Sequence, residues 1–280
     1  MSALGLGLIA ALAWGVHDIC VRYVSQRAGI LPSLATVLAA GALLVLPVAL
    51  WLGDWPGMTM QAYVFSGLSG VAFGIAGYGL YKAFEIGPVR LVAPVIGAYP
   101  VLSLAAAGLD GEPVTSAQWA AGLAVVAGIA LVAMLIGEGE GNGSRRAALT
   151  WALLGAAGFA LTFAAGQHAT RAGADLPVLL VTRATAIAVI LPLILLRTEA
   201  LRGLSRQMPL LLLMGALDAV ALGAIMVAAP LQNPEFAAVA ASTFGIVTIL
   251  LARVFLGERM SLGQWGGIAV AFCGIGYLAI

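Results

Sequence analysis

A small set of ionisable side chains stands inside long apolar runs, and these are the residues equipped for chemistry. The stretch "WGVHDICVRY" (14–23) brings His17, Asp18 and Arg22 together. Asp218 is alone in "LLLMGALDAVALGAIM", and Arg183 lies in "LLVTRATAIAV". Loss of water favours the neutral form of a carboxyl group, which is the chemistry of a proton site. A desolvated guanidinium suits a bound anion. Asp218 and Arg183 therefore read either as a proton site and a substrate-anion site, or as an ion pair that locks neighbouring helices. Asp18 and Arg22, spaced i and i+4, are in reach of an intrahelical pair, and Arg22 can snorkel to an interface. One reading has Asp18 neutralised by Arg22, with His17 bonded to another helix. The other makes His17 and Asp18 contacts for a proton or a polar substrate. Neighbouring helical residues point about 100° apart, so both cannot face one cavity squarely.

Lesser candidates follow. "YGLYKAFEIGP" sets Tyr78, Lys82 and Glu85 on overlapping faces, as a gate network or as interfacial anchors. Gln167 and His168 come late in the sixth apolar run, and Tyr99 precedes Pro100 in the fourth. No Gly-x-Ser-x-Gly, His-Glu-x-x-His or paired-aspartate signature accompanies them. "FSGLSG" (65–70) resembles the first only superficially. No catalytic residue, metal site or cofactor is expected, and the chain does not read as an enzyme. Rings of like residues and pore loops, the marks of a channel, are also missing from the sequence.

The elements that position these groups follow from composition. Of 280 residues, 62% are hydrophobic and 9% charged, with a mean hydropathy of +1.07. Soluble domains carry about a quarter charged residues, so most of this surface must face lipid. A net charge of +1 argues against a nucleic-acid partner. Cys20 and Cys273, near opposite ends, make neither a disulfide framework nor a metal motif. The first apolar run lacks a basic leader and is longer than a signal-peptide core, so it reads as a retained span.

A bilayer crossing takes about 20 apolar residues. Cutting at charges, prolines and polar turns gives ten spans: 3–25, 31–52, 61–86, 88–109, 115–137, 147–171, 176–197, 208–231, 235–256 and 262–280. Period-two alternation is lacking, which excludes barrel strands. The fold class is an all-α integral membrane protein. Pro94, Gly97 and Pro100 predict irregular backbone in the fourth span, tolerated where it is buried or faces a cavity.

The linker "GEGEGNGSRR" (137–146) divides the chain nearly in half, and the halves repeat. "SQRAGILPSL" (25–34) returns as "ATRAGADLPVL" (169–179), and "DGEPVTSAQWAAG" (110–122) as "LGERMSLGQWGGI" (256–268). Pro88 matches Pro234. A first repeat at 1–137 and a second at 147–280 thus hold five spans each, around a linker at 138–146. Five is odd, so the halves cross the membrane in opposite senses, an inverted repeat with its substrate site at the midplane between them.

"LGERMSLGQWGGIAVAFCGIGYL" (256–278) resembles the last span of EamA-type members of the drug/metabolite transporter superfamily, and "NPEFAAVAASTFGIVTILLARVFLGER" (233–259) resembles the span before it. In the first half the Gly-Glu-Arg turn has become Gly111-Glu112-Pro113. The resemblance implies a ten-helix bundle that alternates access to a central cavity and moves small metabolites or drugs. It leaves the substrate open. Charges of both signs (Asp18, Asp218, Arg183) suit a polar or zwitterionic metabolite such as an amino acid. A hydrophobic cation, the alternative cargo, wants carboxylates and aromatics without a cavity arginine.

The expected location is the cell (inner) membrane, with lipid and a small molecule as partners, protons as an optional one, and oligomeric state open. Connections after odd-numbered spans hold Arg27, Arg90, Arg145, Arg146, Arg197, Arg202, Arg206 and Arg259, and those after even-numbered spans hold Arg171. The positive-inside rule then puts the odd connections in the cytoplasm and both termini outside. The resemblance implies termini inside.

Overall fold

The structure, a computed structural model, describes residues 2–109, 113–135, 143–197, 201, 203–228, 231 and 235–278. Among them are twelve α-helical segments and no strand. These are α1 (Ala3–Ser25), α2 (Ile30–Leu52), α3 (Met60–Ile86), α4 (Val89–Gly97), α5 (Tyr99–Leu109), α6 (Ser116–Met134), α7 (Arg145–Ala172), α8 (Asp175–Arg197), α9 (Leu204–Ala228), α10 (Glu235–Ser242), α11 (Phe244–Phe255) and α12 (Leu262–Leu278). Seven are long and apolar enough to cross a membrane, and three shorter apolar stretches bring the total to the ten expected. Asp110, Gly111, Glu112, most of the linker, Arg202, Pro234 and Ile280 lie outside the described residues.

Two of the ten expected spans are broken, the fourth at Ala98 and the ninth at Thr243. Pro100 causes the first break, because it has no N–H to return to the preceding turn and its ring crowds the carbonyl four residues back. The second break has no proline. There the Ser242 and Thr243 hydroxyls donate to the carbonyls of Val239 and Ala240, at 2.7 and 2.6 Å, and compete with the helical bonds.

Local signals elsewhere explain the repeated Gln-Trp pair. Gln118 closes a capping box with Thr115 at the start of α6. Gln264 makes the matching bonds with Ser261 at the start of α12, accepting from its N–H at 2.9 Å and donating to its hydroxyl at 3.2 Å. Both glutamines therefore serve helix initiation.

In the packing, α3 lies against α7 and α8, while α9 lies against α1 and α2. α2 meets α8, and α6 meets α12. α1 also packs on the broken pair α10–α11, and α7 on α4–α5. All nine residues of α4 are buried, which puts this half-span near the centre. The two ends of the bundle differ. At one end the Arg145 guanidinium donates to the Ala133 carbonyl at 2.8 Å, and Gly203, just before α9, sits against the Arg27 carbonyl. At the other, the Thr59 hydroxyl donates to the Ala172 carbonyl at 2.8 Å and Gly53 meets Pro177. The first is the arginine-rich end.

Candidate functional site

The site begins with one face of α1. Trp14 lies three residues before His17 and four before Asp18, so it flanks both, and all three reach one cavity although His17 and Asp18 point about 100° apart. That face meets α9, which carries Asp218, and α11, which carries Thr248. The Trp14 indole N–H donates to Asp218 Oδ1 at 3.2 Å, and Arg183 Nη2 on α8 donates to Oδ2 at 2.5 Å. The two carboxylate oxygens are thus held from two different helices. Asp18 is held more loosely: its Oδ1 lies 3.5 Å from His17 Nδ1, and its Oδ2 accepts from the Thr248 hydroxyl at 3.4 Å. His17 is in electrostatic reach of Asp18 and Asp218 alike.

Arg183 is 1% exposed, yet its Nε and Nη1 groups have no hydrogen-bond partner. Nη1 lies where a side chain at Gly41 would stand, so the glycine of α2 makes the seat for the guanidinium. The Tyr81 hydroxyl, on a residue 1% exposed, is also without a partner. A buried donor left unpaired costs about 1–3 kcal/mol. Arg183 and Tyr81 thus bring three such donors to the cavity that Asp18 and Asp218 also line.

These groups line a cavity of about 350 Å³. Its opposite wall is apolar: Tyr99 packs on Phe163 with ring centroids 4.9 Å apart, and Phe159 continues the row to Phe73. Phe159, Thr162 and Phe163 belong to the stretch of α7 that the sequence repeat aligns with the charged face of α1. The same repeat position thus supplies charge in one half and aromatic surface in the other. The cavity reaches exposed Gln167 and Asp175, at the end opposite the arginine-rich one. Toward the arginine-rich end, buried Val21, Val24, Leu31 and Phe84 fill the next turn.

His17, Asp18, Tyr99, Gln167, Arg183 and Asp218 all line this cavity. Five other residues singled out in the sequence do not. Tyr78 turns to Trp151, edge to face at 5.5 Å, because the cavity side of α3 is taken by Gly77, Leu80 and Tyr81. His168 is exposed and stacks on Phe65 at 5.2 Å, one residue round the helix from Gln167. The expected Asp18–Arg22 pair is not formed. Arg22 instead donates to the carbonyls of Phe84 and Glu85 at the end of α3, where those groups have no helical partner. Lys82 pairs with Glu85 at 2.7 Å, at the arginine-rich end.

Sequence reading overlooked Tyr81, Trp14, Gly41 and Glu258. Glu258, from the Gly-Glu-Arg turn, accepts from the backbone N–H groups of Val89 and Arg90 at 2.8 and 3.1 Å, and Arg90 Nη1 lies 3.8 Å away. It caps the buried half-span α4 where the helix dipole is positive. The motif was visible, but nothing in it names the distant helix it caps.

Comparison with known proteins supplies the rest. No curated protein matches the sequence. Twenty-four solved chains resemble the structure. One of them, described only as a crystal structure of a protein, superposes with a TM-score of 0.64 at 16% identity, covering 98% of this chain and 94% of that one. At that identity the likeness shows the fold alone. The sequence pattern of the EamA-like transporter family matches residues 1–134 and again 146–280. The chain therefore belongs to the EamA-like transporter family, membrane transporters of the drug/metabolite transporter superfamily.

Proposed function

We propose that the protein is a secondary active transporter that moves a zwitterionic metabolite bearing an apolar group, an amino acid or a close relative, by alternating access. The observation that carries this reading is a cavity with both charge signs on one wall and aromatic rings on the other. In this account Arg183 receives the substrate carboxylate, Asp18 with His17 receives the ammonium group, and the aromatic row receives the side chain. Asp218 is the proton site. Protonation removes its charge and frees Arg183, and the substrate carboxylate then takes the place of the lost negative charge. A cationic drug fits this wall less well, because the guanidinium would repel it.

The two halves are taken as inverted repeats, 1–137 and 147–280, about the linker. Partner exchange supports this: α3 with α7 and α8 in one half corresponds to α9 with α1 and α2 in the other. The two broken spans are the fourth of each half, and their breaks, at Ala98 and Thr243, correspond to within one position under the repeat offset. The arginine-rich end is placed in the cytoplasm of the cell membrane. The cavity then opens outward, and Lys82, Glu85 and Arg22 belong to the closed inner gate.

Cells overproducing the protein should tolerate, or be sensitised to, toxic analogues of apolar amino acids, and Arg183→Ala should return them to the control response. An unchanged response across a broad panel of analogues would count against this cargo.

A further inference from the structure

A second pocket, of about 800 Å³, lies at the arginine-rich end, remote from the cavity. It is formed by the end of α1 with the α1–α2 turn, the end of α3 and the start of α9. Arg27, Lys82 and Arg206 line it, against one carboxylate, Glu85. Lys82 is paired with Glu85, but Arg27 and Arg206 have no carboxylate partner among the described residues. Arg27 is held in place, its guanidinium 3.5 Å over the Tyr23 ring and donating to the Tyr23 carbonyl at 3.0 Å. Gln207 is 8% exposed and lines the same pocket, with no hydrogen-bond partner for its side-chain amide among the described residues. It belongs to the first turn of α9, where the positive end of the helix dipole adds to the potential.

We infer that this pocket binds the phosphate headgroup of an anionic phospholipid. The Arg27 and Arg206 guanidinium groups face the phosphate oxygens, Lys82 adds a third cation, and the Gln207 amide donates to the ester or glycerol oxygens. The ligand is lipid rather than a soluble anion because the site is at the end of a membrane bundle. Exposed Tyr23 stands on its rim, an aromatic of the type found at headgroup level. The headgroup joins the α1–α2 turn of the first half to the start of α9 in the second. It therefore steadies the closed end. The inference is independent of cargo and of orientation, since a disc presents both leaflets.

The test is thermal unfolding of the full chain in phosphatidylcholine nanodiscs with and without phosphatidylglycerol, alongside native mass spectrometry of retained lipid. Phosphatidylglycerol should raise the midpoint by a few degrees and be retained selectively. Inorganic phosphate added to phosphatidylcholine discs should not reproduce the shift. The double variant Arg27→Gln, Arg206→Gln should unfold in phosphatidylcholine alone as the wild type does, yet lose the shift. No selective retention by the wild-type protein overturns the inference without recourse to any variant. A full shift in the double variant, or an equal one from inorganic phosphate, also overturns it.

Discussion

At the scale of single residues, the buried pair and its unpaired donors make opposite predictions. Arg183→Leu strands the Asp218 carboxylate, and breaking a buried pair from one side costs about 3–5 kcal/mol. Thermal unfolding should show that loss, and adding Asp218→Leu should recover most of it without restoring transport. Tyr81→Phe removes a buried hydroxyl that has no partner, so stability should rise, by up to about 1–3 kcal/mol. Substrate affinity should nevertheless fall, as measured by binding or uptake. An unchanged affinity would remove Tyr81 from the site. Sequence reading found the costly residues, because a charge in an apolar run is conspicuous, and His17, Asp18, Arg183 and Asp218 do share the cavity. It chose Tyr78 over Tyr81 because two tyrosines in one helix look alike until the facing helix is known. It also offered Arg22 as the partner of Asp18 because local spacing was the only geometry available.

At the scale of elements, helix ends and close crossings carry the argument. Gly41 on α2 faces both the Arg183 guanidinium and the Gly215 carbonyl on α9. Gly41→Ala should therefore force the helices apart and push Arg183 from its seat, costing about 1–3 kcal/mol in thermal unfolding and lowering transport as well. Glu258→Ala removes the cap of α4 and a carboxylate from its positive end, a loss of about 1–2 kcal/mol. It should also loosen the arginine-rich end, so that a cysteine placed at buried Leu31 labels faster than in the otherwise native protein. Equal labelling would mean that the cap holds no gate. The ten apolar runs were legible because length and composition suffice for a bilayer crossing. The break at Ala98 was signalled by Pro100, whereas the one at Thr243 depends on hydroxyls whose bonding partners only the fold reveals.

For the whole molecule, the proposed orientation pairs an outward-opening cavity with an arginine-rich inner face. A reporter fused after Leu278 that is active only outside the cytoplasm should be active, and one inserted in the α8–α9 turn should not. The reverse pattern would make the cavity face inward. The most direct measurement is accumulation of a labelled apolar amino acid by proteoliposomes under an imposed pH gradient. Wild-type protein should accumulate it and lose that ability with a protonophore, and Asp218→Asn should bind it without gradient-driven accumulation. Accumulation by Asp218→Asn equal to that of the wild type, or none by the wild type with any amino acid, would contradict the account.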